Sequence, residues 1–151
     1  MGFQYSLESV LEYRKKVEDN KKEKFIHENN RFSEETGVME SIREHYHETL
    51  EQLSGKEAFS IQEQKNYMQY IMNLHQKMEK QKIRISDSRR RRDMARAELE
   101  TAQKDRKIME NLEEKELYRF KEDIKKREEK ELNEIASIGF VRRKSEKDKN
   151  G

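Results

Sequence analysis

Apolar residues return every seventh position through the first half of the chain, at Phe25, Phe32, Met39, Tyr46 and Leu53. Phe3, Leu7, Val10 and Val17 extend the pattern upstream at spacings of three, four and seven, with one slip between Val17 and Phe25, and Ile42 and Leu50 fill alternate positions. A sustained seven-residue repeat marks a left-handed coiled coil. It predicts one helix over residues 5–52, about 70 Å long at the usual rise per residue. Gly37, inside it, costs about 1 kcal/mol relative to alanine and softens the helix without stopping it.

The periodicity lapses over Leu53-Ser54-Gly55-Lys56-Glu57-Ala58-Phe59 and restarts behind Ser60-Ile61-Gln62-Glu63. A serine with glutamate three residues later is the signature of a helix N-terminus. Residues 53–59 are therefore expected as a loop, and 60–138 as a second, longer helix. Its apolar face runs through Tyr67, Ile71, Leu74, Met78 and Ile85, then Ala95, Leu99, Ala102 and Met109, with Ser88, Arg92 and Arg106 as polar interruptions. Leu117, Phe120 and Ile124 resume after a four-residue stutter, and Leu132, Ile135 and Ile138 complete the face. Gly139 suits the position after a helix C-terminus, leaving 139–151 as a mobile basic tail.

Two such stripes joined by a short loop predict an all-α antiparallel coiled-coil hairpin, a single unit over 1–151. A turn near residue 56 pairs Tyr46 with Tyr67, Ile42 with Ile71, Met39 with Leu74, Val17 with Ala95, Val10 with Ala102 and Phe3 with Met109. In that register the second helix outruns the first by about 40 Å. Leu117, Phe120, Ile124, Leu132, Ile135 and Ile138 are then left without a partner from their own chain.

Composition separates this reading from disorder. Charged residues make up 44% of the chain and hydrophobic ones 31%, far from the roughly 25% and 45–50% of an average globular domain. Proline is absent, however, glycine occurs five times, and the dominant residues are good helix formers, whereas disordered chains of this polarity are enriched in Pro, Ser and Gly. Acidic and basic residues are interspersed and leave a net charge of +2. Glu12–Lys16, Glu18–Lys22 and Glu122–Lys126 have the four-residue spacing that supports a helix by about 0.2–0.5 kcal/mol each. No apolar run approaches the ~20 residues of a membrane span, and the first residues lack the apolar core of a signal peptide. With no cysteine, disulfides, thiolate metal sites and cysteine nucleophiles are excluded.

Candidate chemistry is sparse. His45 and His47 lie about 200° apart around a helix and cannot share an ion; His27 and His75 are isolated. Phosphate loops, nucleophile elbows and zinc-protease motifs are missing, and a pair of helices offers no cleft in which to desolvate a carboxylate. We therefore expect no enzyme activity, cofactor or small-molecule substrate. Arg89-Arg90-Arg91-Arg92 ring the helix rather than lining one face, with Asp87 and Asp93 beside them, an arrangement that argues against a nucleic-acid surface and suggests a solvated girdle with Phe25 beneath an arginine head. Tyr46, Tyr67 and Tyr70, with Ile71, Met39 and Leu74, form either an exposed patch near the loop or merely the seam and its flank.

Two segments resemble a known family. Phe3-Gln4-Tyr5-Ser6-Leu7-Glu8-Ser9-Val10-Leu11-Glu12-Tyr13-Arg14 is similar to the opening of the flagellar export protein FliJ family, and Ser60 through Leu74, containing Asn66-Tyr67-Met68-Gln69-Tyr70-Ile71, resembles the segment after its loop. The resemblance implies a non-enzymatic stalk of the flagellar type III export apparatus, similar to the rotor stalk of rotary ATPases. Its implied partners are the hexameric export ATPase, the linker of the membrane export gate and export chaperones. Its implied place is cytoplasmic, peripheral to the cell membrane and without insertion into it. By the family's pattern Tyr70 and Leu74 belong to the gate surface, with Met39, Ile42 and Tyr46 opposite, while Lys77 and Gln81 depart from the family's residues. Leu117, Phe120 and Ile124 are the candidates for the ATPase ring. An injectisome stalk and a generic coiled-coil scaffold remain as alternatives.

Overall fold

A computed structural model describes residues 2–151. The chain is all-α, with α1 spanning Glu8–Gly55 and the longer α2 spanning Ile61–Asn150. Between them Ser60 caps α2: its Oγ accepts a hydrogen bond from the Glu63 N–H at 3.1 Å, while its carbonyl accepts from the Gln64 N–H at 3.0 Å. These bonds satisfy donors that a helix start otherwise leaves unpaired.

The helix ends differ from the expected ones. Residues 2–7 precede α1 rather than joining it, and the Glu8 N–H bonds the Tyr5 carbonyl at 3.3 Å as the first turn closes. Gly139 does not stop α2. No glycine among the described residues takes a positive φ, so the left-handed cap that would end the helix is not formed. α2 continues across 139–150, and Lys147 and Lys149 in its last turn complement the negative end of the helix dipole. The stretch expected as a tail is helical.

The contacts fall into two compact units: 2–14 with Asp105–Gly151, and Lys15–Lys104. In the Lys15–Lys104 unit α1 and α2 pack antiparallel along a narrow seam. On α2 the buried residues Leu74, Gln81, Ser88, Ala95 and Ala102 are seven apart, the spacing that keeps one face toward a partner helix. Facing them on α1, Met39 and Thr49 are buried, with Phe25, Phe32, Ile42 and Tyr46 half-buried. The seam thus sets large α1 side chains against small or polar α2 ones. Gln81 is 3% exposed and donates from Nε2 to the Glu35 carbonyl at 2.8 Å and to Glu35 Oε1's twin, Oε2, at 2.6 Å.

The register also differs. Tyr46 meets His75, ring centroids 5.0 Å apart, rather than Tyr67, and Phe25 lies against Arg96, both about two turns further along α2 than a turn at residue 56 implies. A heptad repeat matches itself when slid by seven residues, so apolar matching alone does not choose between these registers. The loop, which begins after Gly55 and ends before Ile61, sits later than assumed, in keeping with the observed register.

Candidate partner-binding surfaces

Near the loop, Lys56 holds a small cluster together. Its Nζ lies 5.5 Å from the Phe59 ring centroid and 5.7 Å from that of Tyr67, and 3.9 Å from a Glu63 carboxylate oxygen. The two rings meet edge-on at 5.7 Å. Beside this cluster α1 and α2 leave a cavity of about 540 Å³, bordered by Thr49, Gln52, Tyr67 and Tyr70. Of the five residues assigned to the gate surface, Tyr70 is exposed and Ile42 and Tyr46 are half-buried. Met39 and Leu74 are each 4% exposed, so they lie in the seam and shape this surface from beneath. Phe59 and Lys56 were not identified from sequence, because they fall in a non-periodic loop.

The unit containing both termini is built on the segment before α1. Tyr5 is buried, and its hydroxyl donates to the Met109 carbonyl at 2.9 Å. Burial, and then the carboxylates of Glu116 and Glu113, push its phenol above the ordinary value, since both disfavour the phenolate. Ser6 Oγ donates to Glu116 Oε2 at 3.0 Å, and Arg14 pairs with Asp105 at 3.3 Å. Phe3 packs on Phe120, ring centroids 5.5 Å apart.

That contact corrects the expectation that Phe120 has no partner from its own chain. Within this unit Phe3 covers Phe120, and Leu117 is half-buried. Ile124 is exposed. Past it Leu132, Ile135, Ile138, Phe140 and Val141 are all at least 58% exposed. The last two fall in the stretch expected as a tail, where no periodicity singled them out.

The arginine run is held to the helices. Arg92 stacks over Phe32 at 4.3 Å and Arg89 approaches the same ring at 5.5 Å, whereas Phe25 belongs to Arg96 at 5.5 Å. Phe32, not Phe25, is therefore the ring beneath the run. Asp87 lies 3.7 Å from Arg90 and 3.4 Å from Arg91, and Asp93 lies 3.0 Å from Arg92. Further along, Lys24 and Lys21 both bond Glu98 and hold its carboxyl below the ordinary value. Among the described residues, no group of three or more His, Cys, Asp or Glu is placed to hold a metal ion. No helix among them is long and apolar enough to cross a membrane.

Fold and surfaces together define an all-α protein of paired helices with a heptad seam. The family model for the flagellar FliJ protein matches residues 3–145, and the chain belongs to that family. It is therefore a component of the flagellar export apparatus, in a family of non-enzymatic export proteins. No curated protein and no solved structure matches the chain.

Proposed function

We propose that this protein is the stalk that joins the export ATPase to the export gate. The unit holding both termini enters the hexameric ATPase ring through Leu117, Phe120 and Ile124, and the unit holding the loop engages the linker of the membrane gate through Tyr70, Ile42 and Tyr46. Met39 and Leu74 support that surface from within the seam. Export chaperones bind the same protein, which works in the cytoplasm at the inner face of the membrane and couples hydrolysis to export without performing chemistry itself.

The observation that carries this reading is the exposed apolar run of α2 from Ile124 through Leu132, Ile135 and Ile138. In a chain this polar, large exposed apolar residues in series favour a partner surface over a solvated one. Retention of the export ATPase on the immobilised protein, with stimulated ATP hydrolysis, is the expected result. Ile124→Glu with Ile135→Glu should abolish both while helicity by circular dichroism is unchanged. No retention by the unaltered protein would sink the ring assignment. For the gate, Tyr70→Ala is the informative change, because Tyr70 is exposed; unchanged gate binding would refute its role.

A further inference from the structure

One face of α2 carries Met109, Glu113, Glu116, Leu117, Phe120 and Ile124, which fall within about 100° of one another around the helix. Ile135 and Ile138 lie on the same face further along. Its two ends are unlike. Ile135 and Ile138 are 67% and 58% exposed, whereas the end from Met109 to Phe120 is met by Tyr5, Ser6 and Phe3 of the non-helical segment ahead of α1. Leu117, Phe120 and Ile124, the residues assigned to the ATPase ring, straddle the boundary between the covered end and the bare one.

Side chains alone fasten that segment to α2. Tyr5 is its one buried residue, with its hydroxyl on the Met109 carbonyl at 2.9 Å. Phe3 rests on Phe120, and Ser6 reaches Glu116 at 3.0 Å. Among the described residues no backbone hydrogen bond joins residues 2–7 to α2. The backbone bonds at this end run instead to α1, from the Glu8 N–H to the Tyr5 carbonyl and from the Leu11 N–H to the Leu7 carbonyl. Leu7, at the turn, is 40% exposed, and a side chain added at Gly2 would meet nothing within 4 Å. An element held by three side chains and no backbone ladder opens far more readily than the helices it lies on.

We propose that residues 2–7 are a strap that competes with the ATPase ring for this face, so that the ring reaches Phe120 only when Phe3 and Tyr5 have lifted from α2. The inference rests on the ring assignment made above. Phe3 gives Phe120 from within the chain the apolar cover that the ATPase would give it from outside, and two partners cannot fill one place at once. Lifting the strap lengthens the bare face of Ile124, Ile135 and Ile138 by about 16 Å, back to Met109. The ATPase then selects the open form. A chain that is open about one time in ten binds about tenfold more weakly than one with no strap.

The full-length chain is titrated with the export ATPase hexamer. Phe3→Ala with Tyr5→Ala removes two of the three fastenings and leaves α2 unaltered, and it should tighten binding about three- to tenfold. The opposite variant holds the strap shut. Ser6→Cys with Glu116→Cys places two thiols in a chain that otherwise has none, and joining them with a short dithiol-reactive linker should weaken binding about tenfold or more relative to the same protein before joining. That comparison keeps the sequence constant, and circular dichroism should show equal helicity before and after. Weaker binding by the alanine variant overturns the proposal and makes Phe3 part of the ring surface. Equal binding before and after joining overturns it as well, while the ring assignment stands. If neither the unaltered chain nor any variant binds the ATPase, the ring assignment fails and the strap falls with it.

Discussion

Replacing Gln81 separates the two things a buried polar residue does in this seam. Its amide makes two hydrogen bonds, to the Glu35 carbonyl at 2.8 Å and to the Glu35 carboxylate at 2.6 Å. A neutral bond contributes about 0.5–1.5 kcal/mol net and one to a charged group about 1.5–3. Glu35 is only half-buried, so its carboxylate can turn to water once released, and we place the total loss near 2 kcal/mol. Gln81→Leu removes both bonds and buries an apolar side chain of similar size, which returns about 1.5–3 kcal/mol. The two effects nearly cancel, and the expected change is under about 1 kcal/mol. Gln81→Ala loses the bonds, recovers little burial and leaves a void, so it should cost about 2–4 kcal/mol. Urea unfolding followed by circular dichroism at 222 nm measures both. If Leu is as destabilising as Ala, the hydrogen bonds outweigh apolar burial here and the reasoning fails. If Leu is neutral, Gln81 matters for choosing the register rather than for stability, as single polar seam residues do in other coiled coils.

Other expectations are more local. Ser60→Ala removes the cap on α2 and should cost about 1 kcal/mol, read as faster hydrogen exchange at the Glu63 and Gln64 amides; unchanged exchange would show that the cap contributes nothing. Phe32→Ala takes the ring from beneath Arg92 and Arg89 and should cost about 2 kcal/mol, less than a fully buried phenylalanine because the ring is half-buried; an equal loss in a background where both arginines are alanine would exclude the cation–ring part. Tyr5 titrates above the ordinary phenol value, so the docking it supports is fully present below about pH 10 and is lost as the pH rises through its folded value. Ultraviolet titration should show one tyrosine ionising late, and Tyr5→Phe should remove that late step.

The heptads made the two helices, the loop and the capping serine legible in the sequence, because each rests on local periodicity or a short motif. Leu74, Ala95 and Ala102 are seam residues as their spacing implies. Gln81 was missed for the reason that makes it informative: a polar residue in an apolar series looks like an interruption, and burial depends on what the partner helix presents. The pairing of Tyr46 was misread because a seven-residue repeat is degenerate under a seven-residue slide. The cover over Phe120 was missed because Phe3 and Tyr5 act from outside the helix, where no periodicity applies. Of the gate candidates, Met39 and Leu74 illustrate how a motif can mark a position without saying which way its side chain points.

The segment ahead of α1 bears on how this protein is handled as well as on how it folds. Phe3 against Phe120 and Ser6 against Glu116 place the first residues directly on the surface assigned to the ATPase ring. An affinity tag or fluorescent protein fused in front of Gly2 would therefore hang beside that surface, and a failure to bind the ring in such a fusion would report the tag. Labels intended for binding measurements belong instead at exposed positions in the Lys15–Lys104 unit. A single cysteine introduced there would be the chain's only thiol, because the sequence has none of its own.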